Sequence, residues 1–177
     1  MRDYSIQNKK AWEFDAYVFW VKQSGTPEER AAEDIKDPIG MLRKYSKYFD
    51  SYNGVKIANI CGSCGKKAIP LALLGAKVTV FDISEDNKRY AIEVAKAADT
   101  EIEYVVGDVL DIDNEKYSEY FDDVFRNSGT FKRPDGRRSD SKNFSSSRLV
   151  RIESGCSRFV DHEMSSGAAL MPPETAQ

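Results

Sequence analysis

Apolar residues in the first 53 positions of the chain recur at helical spacing. Trp12 and Trp20 fall on one such face, and Gly25 is placed to end that helix. Residues 26–29 read TPEE, which supplies a capping hydroxyl, a proline at the first helical position and a glutamate that completes the capping box. These residues predict a second helix, and an Asp-Pro pair shortly afterwards predicts a third. The pattern therefore indicates a helical N-terminal segment.

From residue 54 the pattern changes to short apolar runs separated by helical segments. The runs that we interpret as strands are residues 55–61, 77–82, 102–106 and 121–125. Strands that alternate with helices in this way are typical of an open parallel sheet with right-handed crossovers. We therefore predict an α/β protein with a mostly parallel sheet of about four strands.

The composition changes after residue 125. Up to that point the chain has 13 Lys and 4 Arg, whereas residues 126–177 have 2 Lys, 7 Arg, ten Ser and no Tyr. No sustained apolar period follows, although residues 149–152 could form one short strand. We therefore divide the chain into residues 1–53, residues 54–125 and an irregular C-terminal tail at 126–177.

Charge and hydropathy argue against several classes of protein. The net charge of −3 comes without a basic stripe, so neither a nucleic-acid nor an anionic-membrane partner is expected. No apolar stretch approaches the roughly 20 residues that span a bilayer, and the first ten residues lack the apolar segment of a signal peptide. The sequence therefore predicts a cytoplasmic protein, in which the three cysteines stay reduced.

Residues 57–65 read IANICGSCG and place small side chains directly after the first strand. Cys61 and Cys64 have the spacing of redox and zinc motifs, but the remaining cysteine and the single histidine both lie in the tail, so no metal site is expected. A redox role would need an exposed thiol with a low pKa. A nucleophile elbow with Ser63 at its tip would need Gly where Cys61 stands, and a hydrolase sheet would have several strands before this one.

A loop that closely approaches a cofactor explains more of these residues. Gly62, Ser63 and Gly65 allow the backbone to pass near a ligand at the end of the first strand. Asp82 follows 20 residues after Gly62, at the end of the second strand, where an acid accepts hydrogen bonds from ribose hydroxyls. Asp108 ends the third strand and could accept from the exocyclic amine of adenine. Two acids without a phosphate site suit S-adenosylmethionine, while a degraded dinucleotide fingerprint in the loop leaves a nicotinamide oxidoreductase open.

In order and spacing these motifs resemble the class I S-adenosylmethionine-dependent methyltransferases over about residues 12–125. Residues 59–65 (NICGSCG) stand where that family has an acidic residue, an apolar residue and Gly-x-Gly-x-Gly. Residues 81–84 (FDIS), 107–109 (GDV) and 121–125 (FDDVF) are similar to the motifs that follow. The resemblance implies a Rossmann-like fold, S-adenosyl-L-methionine as the cofactor, and a lid formed by the N-terminal helices.

The resemblance also implies roles for individual residues. The loop would pass under the methionine part of the cofactor, the first acid would hold the ribose, and the second acid would bind the edge of the adenine. Aromatic residues of the lid would contact the cofactor or the acceptor. The residues expected at the cofactor are Cys61, Gly62, Ser63, Gly65, Asp82, Ile83, Asp108, Val109, Tyr17 and Trp12.

The chain departs from the family after its fourth strand, where three more strands would follow. We therefore expect a truncated domain whose fourth strand is an exposed edge, and we hypothesise that residues 126–177 come from a shifted reading frame or a fusion. The predicted function is a methyltransferase, a transferase that acts on a small-molecule acceptor and is inactive if the domain is incomplete. The alternatives are a protein that binds S-adenosylmethionine without catalysis and an NAD(P)-dependent oxidoreductase.

Overall fold

The computed structural model describes residues 3–49, 51–113, 115–126 and 158–160. The helices are α1 (Asp3–Glu13), α2 (Ala16–Ser24), α3 (Pro27–Lys36), α4 (Pro38–Leu42), α5 (Ala68–Leu73) and α6 (Glu85–Ala97), with 3-10 turns at Arg43–Tyr48 and Val109–Asp111. The strands are β1 (Lys56–Ile60), β2 (Lys77–Asp82), β3 (Glu103–Val106), β4 (Asp123–Arg126) and β5 (Arg158–Val160). Within these ranges no helix has the length and apolar character that a membrane span requires.

All five strands form one parallel sheet in the order β3-β2-β1-β4-β5. The central strand, β1, pairs with β2 on one side and with β4 on the other. Helices connect β1 to β2 and β2 to β3, as the crossovers of a parallel sheet require. The predicted Rossmann-like α/β fold is thereby confirmed, and each of the four predicted strands is present within two residues of its expected start.

The prediction that β4 would be an exposed edge is wrong. Residues 158–160 pair with it in parallel, with Asp123 opposite Arg158 and Val124 opposite Phe159. A strand of three residues within a Ser- and Arg-rich stretch is too short to produce a visible period of two, which is why the sequence pattern did not reveal it. The short strand proposed at residues 149–152 lies outside the described residues.

The ends of the N-terminal helices have the expected caps. Thr26 accepts a hydrogen bond from the Glu29 amide, and the Glu29 carboxylate accepts one from the Thr26 amide at 2.9 Å, so the predicted capping box is confirmed. Asp37 caps α4 by accepting from the Gly40 amide at 2.8 Å. Pro70 lies in the first turn of α5, where its missing N–H removes no hydrogen bond from the helix.

The two faces of the sheet are covered differently. Alternate side chains of β1 point to opposite faces of the sheet. Ile57 lies in the hydrophobic core on the face covered by the helices, and Ile60 lies in the core on the other face. On the opposite face, Phe81 packs edge-on against Tyr117 at 5.1 Å between ring centroids, and Tyr117 stacks on Phe121 at 5.5 Å. The sheet is therefore buried on both sides, as parallel sheets require.

A buried ion pair lies between two successive turns of α3. The Arg30 guanidinium donates to both carboxylate oxygens of Asp34, at 2.7 and 3.1 Å, and the two residues are 5% and 0% exposed. Burial raises the pKa of Asp34, while the adjacent Arg30 charge opposes that shift. The pair therefore depends on the presence of both charges.

We predict that Asp34→Ala lowers the free energy of unfolding by about 3–5 kcal/mol, because it leaves the Arg30 charge buried without its partner. Urea denaturation followed by circular dichroism measures the change. The matched control is Glu33→Ala, which removes a carboxylate 3.9 Å from the same guanidinium but 65% exposed, and it should cost at most about 1 kcal/mol. Equal losses in the two variants would contradict the interpretation.

Candidate functional site

The loop between β1 and α5, residues 61–65, has an unusual backbone. Cys61, Ser63 and Gly65 all have positive φ angles, of 53°, 51° and 73°. Glycine adopts this conformation at little cost, whereas a side-chain-bearing residue there is strained by about 1–2 kcal/mol. Surrounding contacts must therefore hold the loop in place.

Those contacts come from the neighbouring strands. The Gly62 amide donates to the Phe81 carbonyl at 3.2 Å, and the Tyr104 hydroxyl donates to the Ser63 carbonyl at 2.6 Å. Burial raises the pKa of Tyr104, so the hydroxyl keeps its proton and remains a donor. The tip of the loop is therefore attached to both β2 and β3.

The Asp82 carboxylate is the centre of the hydrogen bonds at this end of the sheet. Its Oδ2 accepts from the Ser63 amide at 2.9 Å, and its Oδ1 accepts from the Ser84 amide and the Asn87 side chain, each at 3.1 Å. Burial raises the pKa of Asp82, although these hydrogen bonds favour the charged form. Because Oδ2 has a second lone pair, the carboxylate can accept from a further donor.

Asn87 and Trp20 extend this network, and sequence reasoning missed Asn87. The Trp20 indole donates to the Asn87 side-chain oxygen at 2.6 Å, while the Asn87 amide nitrogen donates to Asp82. Asn87 lies in the first turn of α6, so its position three residues after the capping Ser84 was the available signal. Through this chain of contacts, α2 helps to orient the acid.

Asp108 lies next to this network, at the end of β3. The Gly107 amide donates to the Asp82 backbone carbonyl at 2.9 Å, which brings the two strand ends together. The Asp108 carboxylate is buried and accepts from the Leu110 amide at 2.9 Å and from the Ser5 hydroxyl of α1. The N-terminal helix therefore lies against the second predicted acid.

The structure connects most of the predicted residues to one another, whereas the contacts of Tyr17 and the exposure of Trp12 do not assign either residue to the site. The loop and the two acids are linked as described above, and the neighbours Ile83 and Val109 are half-buried beside them. Tyr17 faces α6, where its hydroxyl bonds to Glu93 and its ring packs on Tyr90 at 5.8 Å between centroids. Trp12 is 48% exposed on α1. Their assignment to the cofactor stays a prediction.

The cysteines of the loop differ in environment. Cys64 is buried, and burial raises the pKa of its thiol to about 12, so it is not the low-pKa thiol that redox chemistry needs. Cys61 is half-buried. In the part of the chain that the structure describes, no group of three or more His, Cys, Asp or Glu side chains could hold a metal ion. The histidine that a nucleophile elbow would use, His162, lies outside that part.

Comparison with known proteins connects this chain to others through structure alone. No family model and no curated protein sequence matches it. Among solved structures, it is similar to SMU.776, whose structure contains SAH, with a TM-score of 0.52 and 13% identity over 67% of this chain and 33% of that one. It is also similar to the SAM-dependent methyltransferase from Agrobacterium tumefaciens, with a TM-score of 0.50 and 18% identity over 70% of this chain and 41% of that one.

A third solved structure is the magnesium protoporphyrin IX methyltransferase of Synechocystis PCC 6803 with bound SAH, with a TM-score of 0.49 and 15% identity over 70% of this chain. The chain spans 58% of that protein's length. It thus covers between a third and three fifths of the three proteins described. At these identities the matches with SMU.776 and the Agrobacterium protein establish a shared fold, which is one that SAM-dependent methyltransferases use.

We predict that Gly62→Ala destabilises the protein by about 1–3 kcal/mol, because an added Cβ would lie 2.5 Å from Val80 Cγ1 and 2.6 Å from Asn59 Oδ1. The matched control is Gly107→Ala, at the end of β3, where an added Cβ meets nothing within 4 Å. Thermal unfolding of the two variants measures the difference. A control as unstable as the Gly62 variant would show that the close approach is not the cause.

Proposed function

We propose that the loop 61–65, Asp82 and Asp108 bind S-adenosylmethionine, and that the protein serves methyl transfer to a small-molecule acceptor. The observation that carries the proposal is the hydrogen bond from the Ser63 amide to Asp82 Oδ2. It places the first acid directly beside the small-residue loop, and the Gly107 contact brings the second acid to the same edge. Cofactors bind at this carboxyl end of parallel strands.

The residues present fit the chemistry of this cofactor. Asp82 has acceptor capacity at Oδ2 for a ribose hydroxyl, while Asp108 can accept from an adenine amine if that amine shares or replaces the Ser5 hydroxyl. The loop has little side-chain bulk at Gly62 and Gly65, as backbone close to a methionine moiety requires. Half-buried Ile83 and Val109 offer apolar surface to the adenine ring.

When bound, S-adenosylmethionine supplies an electrophilic methyl group for direct displacement by the acceptor. The protein's own contribution would then be to orient the donor and to exclude water, since neither role needs a dedicated nucleophile. The two acids and the attached loop serve the first role. The helices α1 and α2, which contact the site through Ser5 and Trp20, serve the second.

A nicotinamide cofactor is the second candidate, because Asp82 would serve an NAD ribose equally well. Ser63 disfavours it, since this residue stands where the dinucleotide fingerprint has its first glycine. Binding of S-adenosylmethionine without methyl transfer is the third. These candidates differ in which ligands bind and in whether any acceptor is methylated.

We predict that SAH binds the full chain in isothermal titration calorimetry and that Asp82→Asn weakens this binding by about 10–100-fold, because the variant loses a charged acceptor for the ribose. Asp86→Asn is the matched control, since it removes a half-buried carboxylate from the first turn of α6, four residues after Asp82. Circular dichroism checks that both variants fold. Binding of NAD⁺ but not SAH would favour the oxidoreductase, and equal affinity in both variants would reject the assigned ribose contact.

We also predict that SAH affinity decreases on acidification. The decrease should occur at a higher pH than the protonation of an exposed aspartate. The ionised carboxylate is the acceptor, so affinity is greatest above the pKa of Asp82 and falls as that group takes up its proton. Burial places this pKa above its usual range, near about 3.9 for an exposed aspartate. Calorimetry over the pH range in which the protein stays folded measures the effect. If Asp82→Asn showed the same loss of SAH affinity on acidification, the loss could not be assigned to protonation of Asp82.

A further inference from the structure

A charged groove of about 1320 Å³ lies beside the cofactor loop. Its walls are the end of α2, one side of α3, residues of the segment from Met41 to Tyr45, and the residues that follow the loop, Lys66 and Lys67. Since Lys66 directly follows Gly65, the groove begins where the loop ends. None of the proposed ribose and adenine contacts lies in it.

Positive side chains predominate around the groove. Arg30 is already paired with Asp34, and the other cationic residues that line the groove are Lys36, Arg43, Lys66 and Lys67, against the acidic residues Glu29, Glu33 and Asp37. Two of these acids already cap helices: Glu29 accepts from the Thr26 amide, and Asp37 accepts from the Gly40 amide. The third, Glu33, lies 3.9 Å from the Arg30 guanidinium. The acids thus interact with helix N-termini or with Arg30. The positive charges of Arg43 and of the three lysines are therefore in excess.

Lys67 combines burial with the proximity of two other cations. Its ammonium donates to the backbone carbonyls of Met41 and Leu42 and lies 5.2 Å from the centroid of the Tyr45 ring. Burial, together with the neighbouring Arg43 and Lys66 charges, lowers its pKa to about 8. An anion in the groove would relieve this repulsion.

The wall of the groove is not uniformly polar. Met41 and Tyr45 are half-buried in it and supply an apolar surface next to the cations. A ligand that fits both features has an apolar or aromatic body and one anionic group. Arg43 and Lys66 are exposed, so they can approach such a group with little change elsewhere.

We propose that this groove binds the methyl acceptor through a carboxylate or phosphate group, held by Arg43, Lys66 and Lys67 while Met41 and Tyr45 contact its apolar body. The role of acceptor site rests on the proposed function, because the groove adjoins the loop assigned to the methionine end of the donor. The binding of an aromatic anion rests on the groove alone. The two claims can therefore be tested separately.

The test titrates the full chain with benzoate and with phenyl phosphate, which share the aromatic body but carry the two anionic groups, and with benzyl alcohol as the neutral probe. We expect at least one anion to bind more tightly than the alcohol. The double variant Arg43→Gln/Lys66→Gln should weaken that binding by about tenfold. Lys96→Gln, an exposed lysine of α6 outside the groove, is the matched control and should leave binding unchanged.

Two further measurements keep this proposal apart from the cofactor proposal. Asp82→Asn should retain anion binding while it loses SAH affinity, and NMR titration of the Lys67 amine should show its pKa rising from about 8 when the anion is bound. Binding of an anion without any binding of SAH would overturn the cofactor site and leave the groove standing. Failure of both anions to bind better than benzyl alcohol, or equal affinity in the double variant, would overturn the groove.

Discussion

The hydrogen bond between the Ser63 amide and Asp82 is the contact on which the organisation of this site depends. It joins the loop after β1 to the end of β2. The other oxygen of the same carboxylate accepts hydrogen bonds from Ser84 and Asn87 at the start of α6. A partly buried charge is stable in such a place when several donors compensate for its lost hydration. The acid therefore holds the loop in place, and Asn87 connects it to Trp20 of α2.

The strain of the loop explains why so many contacts converge on it. Two residues with side chains, Cys61 and Ser63, have φ angles near 50°, a conformation that local sequence preferences oppose. Such a backbone persists when several surrounding contacts hold it in this conformation. Here the Asp82 carboxylate holds the Ser63 amide and the Tyr104 hydroxyl holds the Ser63 carbonyl, so both polar groups of the residue are bonded. The result is a fixed, closely approachable backbone at the edge of the sheet where a ligand would lie.

The sequence predicted what local patterns determine. The sheet, its parallel order, the capping box at Thr26 and the proximity of the loop to Asp82 all follow from periodicity and from the rule that parallel strands end at one edge. The contacts between distant parts of the chain did not follow. The hydrogen bond from Ser5 to Asp108 joins residues 103 positions apart in the sequence, and the one from Trp20 to Asn87 joins residues 67 positions apart. The position of β5 and the charged groove beside Lys67 also depend on packing that no single segment encodes.

The two acids of the site differ in what a ligand must displace. The donors to Asp82 come from Ser63 in the loop, from Ser84 at the N-cap of α6 and from Asn87 in its first turn, and Oδ2 keeps a lone pair for a further donor. Asp108 instead accepts from Ser5 on α1, a helix that precedes the sheet. A ligand group that uses the Asp108 carboxylate must share or replace that hydroxyl, so its binding free energy includes the change at α1. A ligand at the third strand is thus coupled directly to α1, whereas a ligand at the second strand is coupled to the preceding helices through Asn87 and Trp20.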